Sequence, residues 1–242
     1  MFNSKIFLAE FIGAFALAFV GMSAGIVNAG LVGIALAFGL THAVLHLAYG
    51  RISGAHFNPA ITFGAALNGG VKWLTAVFYW VAQFAGAILA AFFLKTLLEP
   101  LGATIEGGAT VGALNKSQPV MAMVMEALLT FFLVNTVLRV KDEEGGIRLA
   151  GWAIGMTYAF ANIAGLPFTG ASMNPARTLA GAIFAAPSLT SVYTYVIYLF
   201  GPLLGATLAV IVSNFLDETD HEDEQEEEND ESAENGAKPE SS

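Results

Sequence analysis

The sequence predicts an all-α membrane protein: six transmembrane helices plus two re-entrant half-helices, arranged as an inverted repeat. Three observations lead there. Of 242 residues, 55% are hydrophobic and only 12% charged, about half the charged fraction of an ordinary soluble domain. Six apolar stretches reach the length of roughly 20 residues that a bilayer requires. One short motif recurs at a fixed offset, with three of those stretches in each half.

The six stretches fall at about 6–27, 31–49, 73–94, 120–138, 149–166 and 190–216. The first holds one charge, Glu10, and the fourth one, Glu126; the second holds no Asp, Glu, Lys or Arg. A cleaved signal peptide is the wrong reading of the first, because it is too long, contains an acid and has five spans behind it. Buried helices of a soluble protein would not recur six times at this length. Two further apolar segments, 57–68 and 173–186, are too short to span and are bounded by Gly and Pro, as re-entrant pieces are.

The net charge of −10 belongs to one end of the chain. Residues 217–242 hold 13 of the 20 acidic residues and one of the ten basic ones, leaving a body of net charge +2. Nucleic acid suits neither part. The acidic stretch has no aromatic or branched aliphatic residue and is expected to be a solvated, disordered tail. With the N-terminus inside, the inner face receives Lys5, Arg51, Lys72, Arg139, Lys141 and Arg148, and the outer face Lys95 and Lys116. That asymmetry predicts both termini in the cytoplasm. Absence of cysteine removes disulfides, thiol catalysis and cysteine metal sites.

The repeat has its own arithmetic. Glu10 precedes Asn58 by 48 residues and Glu126 precedes Asn174 by 48, so Gly54–Ala60 aligns with Gly170–Ala176 at an offset of 116. Three spans per half is an odd number, so the second half enters the membrane inverted. Such repeats place a pathway at their interface. Asn58 and Asn174 each precede a Pro and an apolar run, the pattern of an N-cap followed by Pro at the first helical position. The two half-helices then meet N-terminus to N-terminus near the midplane, with both positive dipole ends on one spot. The asparagines would cap through oxygen and keep NH₂ donors for a passing solute. A cation or hopping proton would meet a positive potential there.

These residues resemble the aquaporin, or major intrinsic protein, family. Both signature loops are present, SGAHFNPA at 53–60 and GASMNPAR at 170–177, and the resemblance spans essentially residues 1–216. It implies a channel domain over 1–216, with repeats of about 1–98 and 117–216, assembled as a homotetramer in the plasma membrane. It implies Asn58, Pro59, Ala60, Asn174, Pro175 and Ala176 as the central motifs, and a carbonyl ladder from Gly54, Ala55, His56, Gly170, Ala171 and Ser172. Glu10 and Glu126 would brace those loops, which agrees with the expense of a carboxylate inside a span. No cofactor or metal is expected.

The family's narrow filter maps by spacing onto Phe38, Asn162, Ala171 and Arg177. Arg177 would supply fixed charge and donors, Phe38 an apolar wall. Asn162 departs from the His usual in strict water channels and from the Gly usual in glycerol channels, so the filter alone leaves both open. Thr178, Ala182 and Tyr198 resemble the water type, and Leu199 the glycerol type. Water is the expected permeant; glycerol, urea or ammonia is the alternative. Phe38, His42 and His46 share one helical face, and the offset pairs the first two with Ile154 and Tyr158. His42 and Tyr158 are therefore candidates for a polar constriction that responds to pH. Packing between helices is the competing reading, and nothing completes a metal site around the two histidines.

Two other classes compete with the channel. An ion-coupled secondary transporter shares inverted repeats and broken helices, but no second pair of intramembrane charges is present for coupling. Gly21-Met22-Ser23-Ala24-Gly25 matches a hydrolase G-x-S-x-G, yet it ends a transmembrane helix where the nucleophile elbow needs a strand. It reads better as small-residue helix packing, like Gly151–Gly155 and Gly201–Gly205. Asn115-Lys116-Ser117 is a formal glycosylation sequon on a predicted outer loop.

Overall fold

A computed structural model describes residues 3–140 and 146–217. Lys141, the side chain of Arg148 and the acidic stretch 218–242 lie outside the described residues. Among the described residues nine helices follow in chain order: α1 (Ser4–Ile26), α2 (Gly30–Ser53), α3 (Pro59–Leu67), α4 (Trp73–Leu98), α5 (Leu114–Ser117), α6 (Pro119–Arg139), α7 (Gly146–Thr169), α8 (Pro175–Phe184) and α9 (Val192–Asp217). Among the described residues six are long and apolar enough to cross a membrane: α1, α2, α4, α6, α7 and α9. The last carries a π-helical turn at Val196–Phe200, after its first α-helical turn Val192–Tyr195. Asp217, which composition groups with the tail, is helical in α9 as the last described residue and pairs with Arg139 at 2.5 Å.

Local chemistry sets the boundaries. Asn3 caps α1 by accepting from the Lys5 and Ile6 amides, and α2 stops at Gly54, whose φ of +81° a side chain would strain. The half-helices α3 and α8 open as predicted, each with an Asn cap and Pro behind it.

The burial pattern is that of a lipid-embedded body. Leu8, Phe92, Phe93, Leu128, Phe132, Phe160 and Phe215 are exposed, whereas Glu10, Asn58, Gln83, Glu126, Asn162 and Asn174 are buried. Helices approach closely through small residues, because in lipid the gain comes from packing rather than from leaving water. α4 presents Ala76, Ala82, Gly86, Ala87, Ala90 and Ala91 to the interior. The halves meet along α2 and α7, where Gly39 and Gly155 face each other. A Cβ on Gly39 would lie 2.5 Å from the Gly155 carbonyl oxygen, and a Cβ on Gly155 would lie 2.5 Å from that of Gly39. These glycines stand 116 residues apart, so the contact sits on the pseudo-twofold axis that the repeat requires.

Candidate functional site

The two re-entrant loops are built alike and braced alike. Glu10 Oε1 accepts from Ser53 Oγ (2.6 Å) and the His56 amide (3.0 Å), and Oε2 from the Phe57 amide (2.7 Å) and Gln83 Nε2 (2.8 Å). Glu126 Oε1 accepts from Thr169 Oγ1 (2.6 Å) and the Ser172 amide (2.8 Å), and Oε2 from the Met173 amide (2.7 Å). Each carboxylate thus gathers the loop N–H groups that a membrane interior leaves without water. Gly54, Ala55 and Phe57 have positive φ, as do Gly170, Ala171 and Met173. Among the described residues no group donates to the carbonyls of Gly54, Ala55, His56, Gly170 or Ser172. Those oxygens are free to accept from a solute; the Ala171 carbonyl instead accepts from Arg177 Nη1 at 2.6 Å.

Asn58 and Asn174 cap their helices through Oδ1, which accepts from the amides of Ala60 and Ala176 at 2.8 and 3.0 Å. Their NH₂ groups are less free than expected. Asn58 Nδ2 donates to the Met173 carbonyl (2.8 Å), and Asn174 Nδ2 donates to that of Phe57 (3.1 Å), so each amide ties its loop to the other. Asn58 spends its second hydrogen on the Tyr158 hydroxyl at 3.3 Å. The N-terminal ends of α3 and α8 therefore face one another around this pair.

The filter candidates fall into one assembly. The Arg177 guanidinium lies over the Phe38 ring, 4.0 Å from its centroid, a cation–π contact strengthened by burial. Asn162 joins through Tyr158: its Nδ2 donates to the Tyr158 carbonyl at 2.9 Å, and the Tyr158 ring stacks on Phe38 with centroids 6.2 Å apart. A carbonyl only accepts, so the amide nitrogen must be the group on it. Asn162 Oδ1 is left as a buried acceptor without a partner among the described residues, and Arg177 Nε as a buried donor. Tyr158 also stacks on His42 at 5.5 Å, so the two constriction candidates touch. Below them His46, Gly54, His56 and Ile154 line a vestibule of about 440 Å³.

Ser53, Thr62, Tyr79, Gln83 and Thr169 hold the site and were not singled out from sequence, while Thr178 and Tyr198 stood out there only as marks of solute type. Ser53 and Thr169 are both hydroxyl residues at the 116 offset, and so are Thr62 and Thr178, which bond the side chains of His56 (3.1 Å) and Ser172 (2.5 Å). Tracking side-chain chemistry along the aligned halves would have found them. Tyr79 and Tyr198 are a further pair, each donating at 2.6 Å to the carbonyl of its own loop, Ser53 and Thr169 respectively.

Comparison with known proteins places this geometry. The family described as Major intrinsic protein matches residues 1–213. A glycerol uptake facilitator protein-like 6 of Lactiplantibacillus plantarum is 38% identical over 88% of this chain and 99% of its own length. Aquaporin-2 of Bos taurus is 34% identical over 88% of this chain and 79% of its own. The X-ray structure of the aquaglyceroporin from Plasmodium falciparum superposes with a TM-score of 0.74, covering 86% of this chain and 93% of that one; at 21% identity it speaks to the fold.

Proposed function

The chain belongs to the major intrinsic protein family and is an integral membrane channel rather than an enzyme; we propose that its permeant is water and that it excludes ions and protons. One observation carries the choice of water. Phe38, His42, Asn58, Tyr158 and Asn162 are wholly buried, while Arg177 on one side keeps 5% exposure and His46 and His56 on the other keep 7%. A path so tightly lined suits the smallest neutral solute better than a three-carbon polyol. Ion exclusion follows from charge. The Arg177 guanidinium guards one end, and two half-helix N-termini raise the potential at the asparagine pair.

A second reading, a channel for small neutral solutes such as glycerol, urea or ammonia, draws on Asn162. Its partnerless Oδ1 suits a solute that brings its own donors. Passive flux along the solute gradient separates either reading from ion-coupled transport. Stopped-flow light scattering on proteoliposomes decides between the two, with sucrose and then glycerol as osmolyte. Fast shrinkage in both, with slow re-swelling in glycerol, supports water; rapid re-swelling overturns it.

We further propose a homotetramer in the plasma membrane with both termini cytoplasmic. In this arrangement residues 1–216 form the channel. The basic ends of α2 and α6, Arg51 and Arg139, support that orientation.

A further inference from the structure

Tyr158 is wholly buried between the filter residues and the vestibule, and its surroundings are not those of an ordinary core aromatic. Its ring belongs to a continuous column. The Arg177 guanidinium lies 4.0 Å from the Phe38 centroid, Phe38 lies 6.2 Å from Tyr158, Tyr158 5.5 Å from His42, and His42 6.2 Å from His46. That column runs from the filter residue at one end to the wall of the vestibule at the other. Phe57 closes its flank, 5.6 Å from His42. A column of rings along this line fills the space a permeant would have to cross.

The hydroxyl acts on a different group. Asn58 has two amide hydrogens, one on the Met173 carbonyl and the other on Tyr158 Oη. With Tyr158 in place Asn58 offers nothing to a passing molecule, and the hydroxyl stands in the position of one. The repeat does not demand this. The counterpart of Tyr158 is His42, and neither ring nitrogen of His42 has a hydrogen-bond partner among the described residues. The Tyr158 hydroxyl reaches both asparagines, hydrogen-bonding Asn174 as well as Asn58, and Asn58 is fully engaged by it and the Met173 carbonyl. One turn along α7 from Tyr158, Ile154 already lines the open vestibule, so volume for a displaced ring lies next to it.

We propose that Tyr158 is a permeability-determining residue at the midplane, whose ring closes the path between the asparagines and whose hydroxyl a permeant must displace from Asn58. The inference rests on the channel reading above and adds a second barrier to it, separate from the Arg177 filter. A permeant crosses as the ring swings towards Ile154 and the solute takes over the Asn58 hydrogen bond.

The test uses the full chain in proteoliposomes, as wild type, Tyr158→Phe and Tyr158→Val, each checked for assembly by size exclusion. Tyr158→Phe keeps the ring and removes the latch. Water flux per assembled channel is expected to rise roughly two- to tenfold, the factor that one ordinary hydrogen bond contributes, with glycerol still excluded. Tyr158→Val removes the barrier, so that water flux rises and glycerol enters, raising the glycerol-to-water ratio. A residue of merely structural importance would lower both fluxes and leave that ratio alone. Wild-type rates and ratios in both variants overturn the inference while leaving the channel reading intact. A rise in Tyr158→Val alone keeps the ring as the barrier and removes the hydroxyl from it. Should Tyr158→Val not assemble, Tyr158→Phe decides. If no chain conducts above empty liposomes, the channel reading falls and takes the inference with it.

Discussion

Asn58 and Asn174 are cross-tied: each donates an amide hydrogen to the carbonyl just before the other, at 2.8 Å to Met173 and 3.1 Å to Phe57. The tie joins two chain segments more than a hundred residues apart at the only level where the inverted half-helices can meet. It makes the asparagines structural before they are anything else. Replacing Asn58 by Ala removes a helix cap, worth about 1 kcal/mol. It also strands the Met173 carbonyl in a dry interior at a further cost of about 1–3 kcal/mol. The expected result is a fall in unfolding temperature in detergent, followed by tryptophan fluorescence. Because the two ties form one contact, Asn58→Ala and Asn174→Ala together should destabilise less than the sum of the single changes. Strict additivity would show that the ties are independent of each other.

The bracing glutamates allow a sharper chemical test. Both oxygens of Glu10 receive two donors each, and at least one on either oxygen is an N–H that cannot accept. A Gln at this position must therefore set its own NH₂ against an N–H group, whichever way the amide turns. Glu126 receives three donors, with the Met173 amide alone on Oε2. Glu126 too has an N–H on each oxygen, from Ser172 and Met173, so Glu10→Gln and Glu126→Gln are each expected to destabilise the channel by about 1–3 kcal/mol, the cost of one buried unsatisfied donor. Comparing the unfolding temperatures of the two purified variants with wild type checks this; wild-type stability in either variant contradicts it.

Much of this was legible in the sequence because one number, 116, holds from Glu10 to Thr62. It pairs the glutamates, the loops, the asparagines and the axial glycines, and all of these fall in register in the structure. The number then fails for a physical reason. Five residues connect α3 to α4, seven connect α8 to α9, and α8 is one residue longer than α3. From there on the true offset is 119, which relates Trp73 to Val192 as helix starts and Tyr79 to Tyr198 as loop braces. The same offset relates Gly86, against the Phe11 carbonyl, to Gly205, against that of Ala127. Loop length carries no hydrophobic period, so the slip is invisible until coordinates show it. What Asn58 does with its second hydrogen was hidden likewise. Helical periodicity places Tyr158 on the face of Asn162, but how far its hydroxyl reaches is a matter of rotamer and distance.

Asn162 is expected to tune solute size with little effect on the fold. Its one bond is to a carbonyl of its own helix, a turn away, so removing it leaves the helix ladder intact. Asn162→His adds bulk beside Phe38 and Arg177 and should lower glycerol flux relative to water; Asn162→Gly should raise it. Stopped-flow re-swelling in glycerol gives the ratio directly. A ratio unmoved by both changes would remove Asn162 from the filter.

Arg177 combines three functions that single substitutions can separate. Its charge repels cations, its guanidinium covers the Phe38 face at 4.0 Å, and its Nη1 anchors the Ala171 carbonyl at 2.6 Å. Arg177→Val removes all three, and the filter both widens and loses its positive field. Proton or cation leak should appear, together with uptake of larger neutral solutes. Arg177→Lys keeps the charge but loses the planar fork that lets one group stack and donate at once. The lysine variant is therefore expected to exclude protons as wild type does, while its glycerol-to-water ratio shifts because the Ala171 anchor and the ring contact are gone. A pH-sensitive dye sealed inside proteoliposomes, with the membrane potential clamped by a potassium ionophore, reports the leak in all three chains. Leak in the valine variant alone assigns exclusion to the charge. Equal leak in valine and lysine variants assigns it to the shape that the guanidinium gives the filter, and no leak in either puts the proton barrier at the asparagine pair.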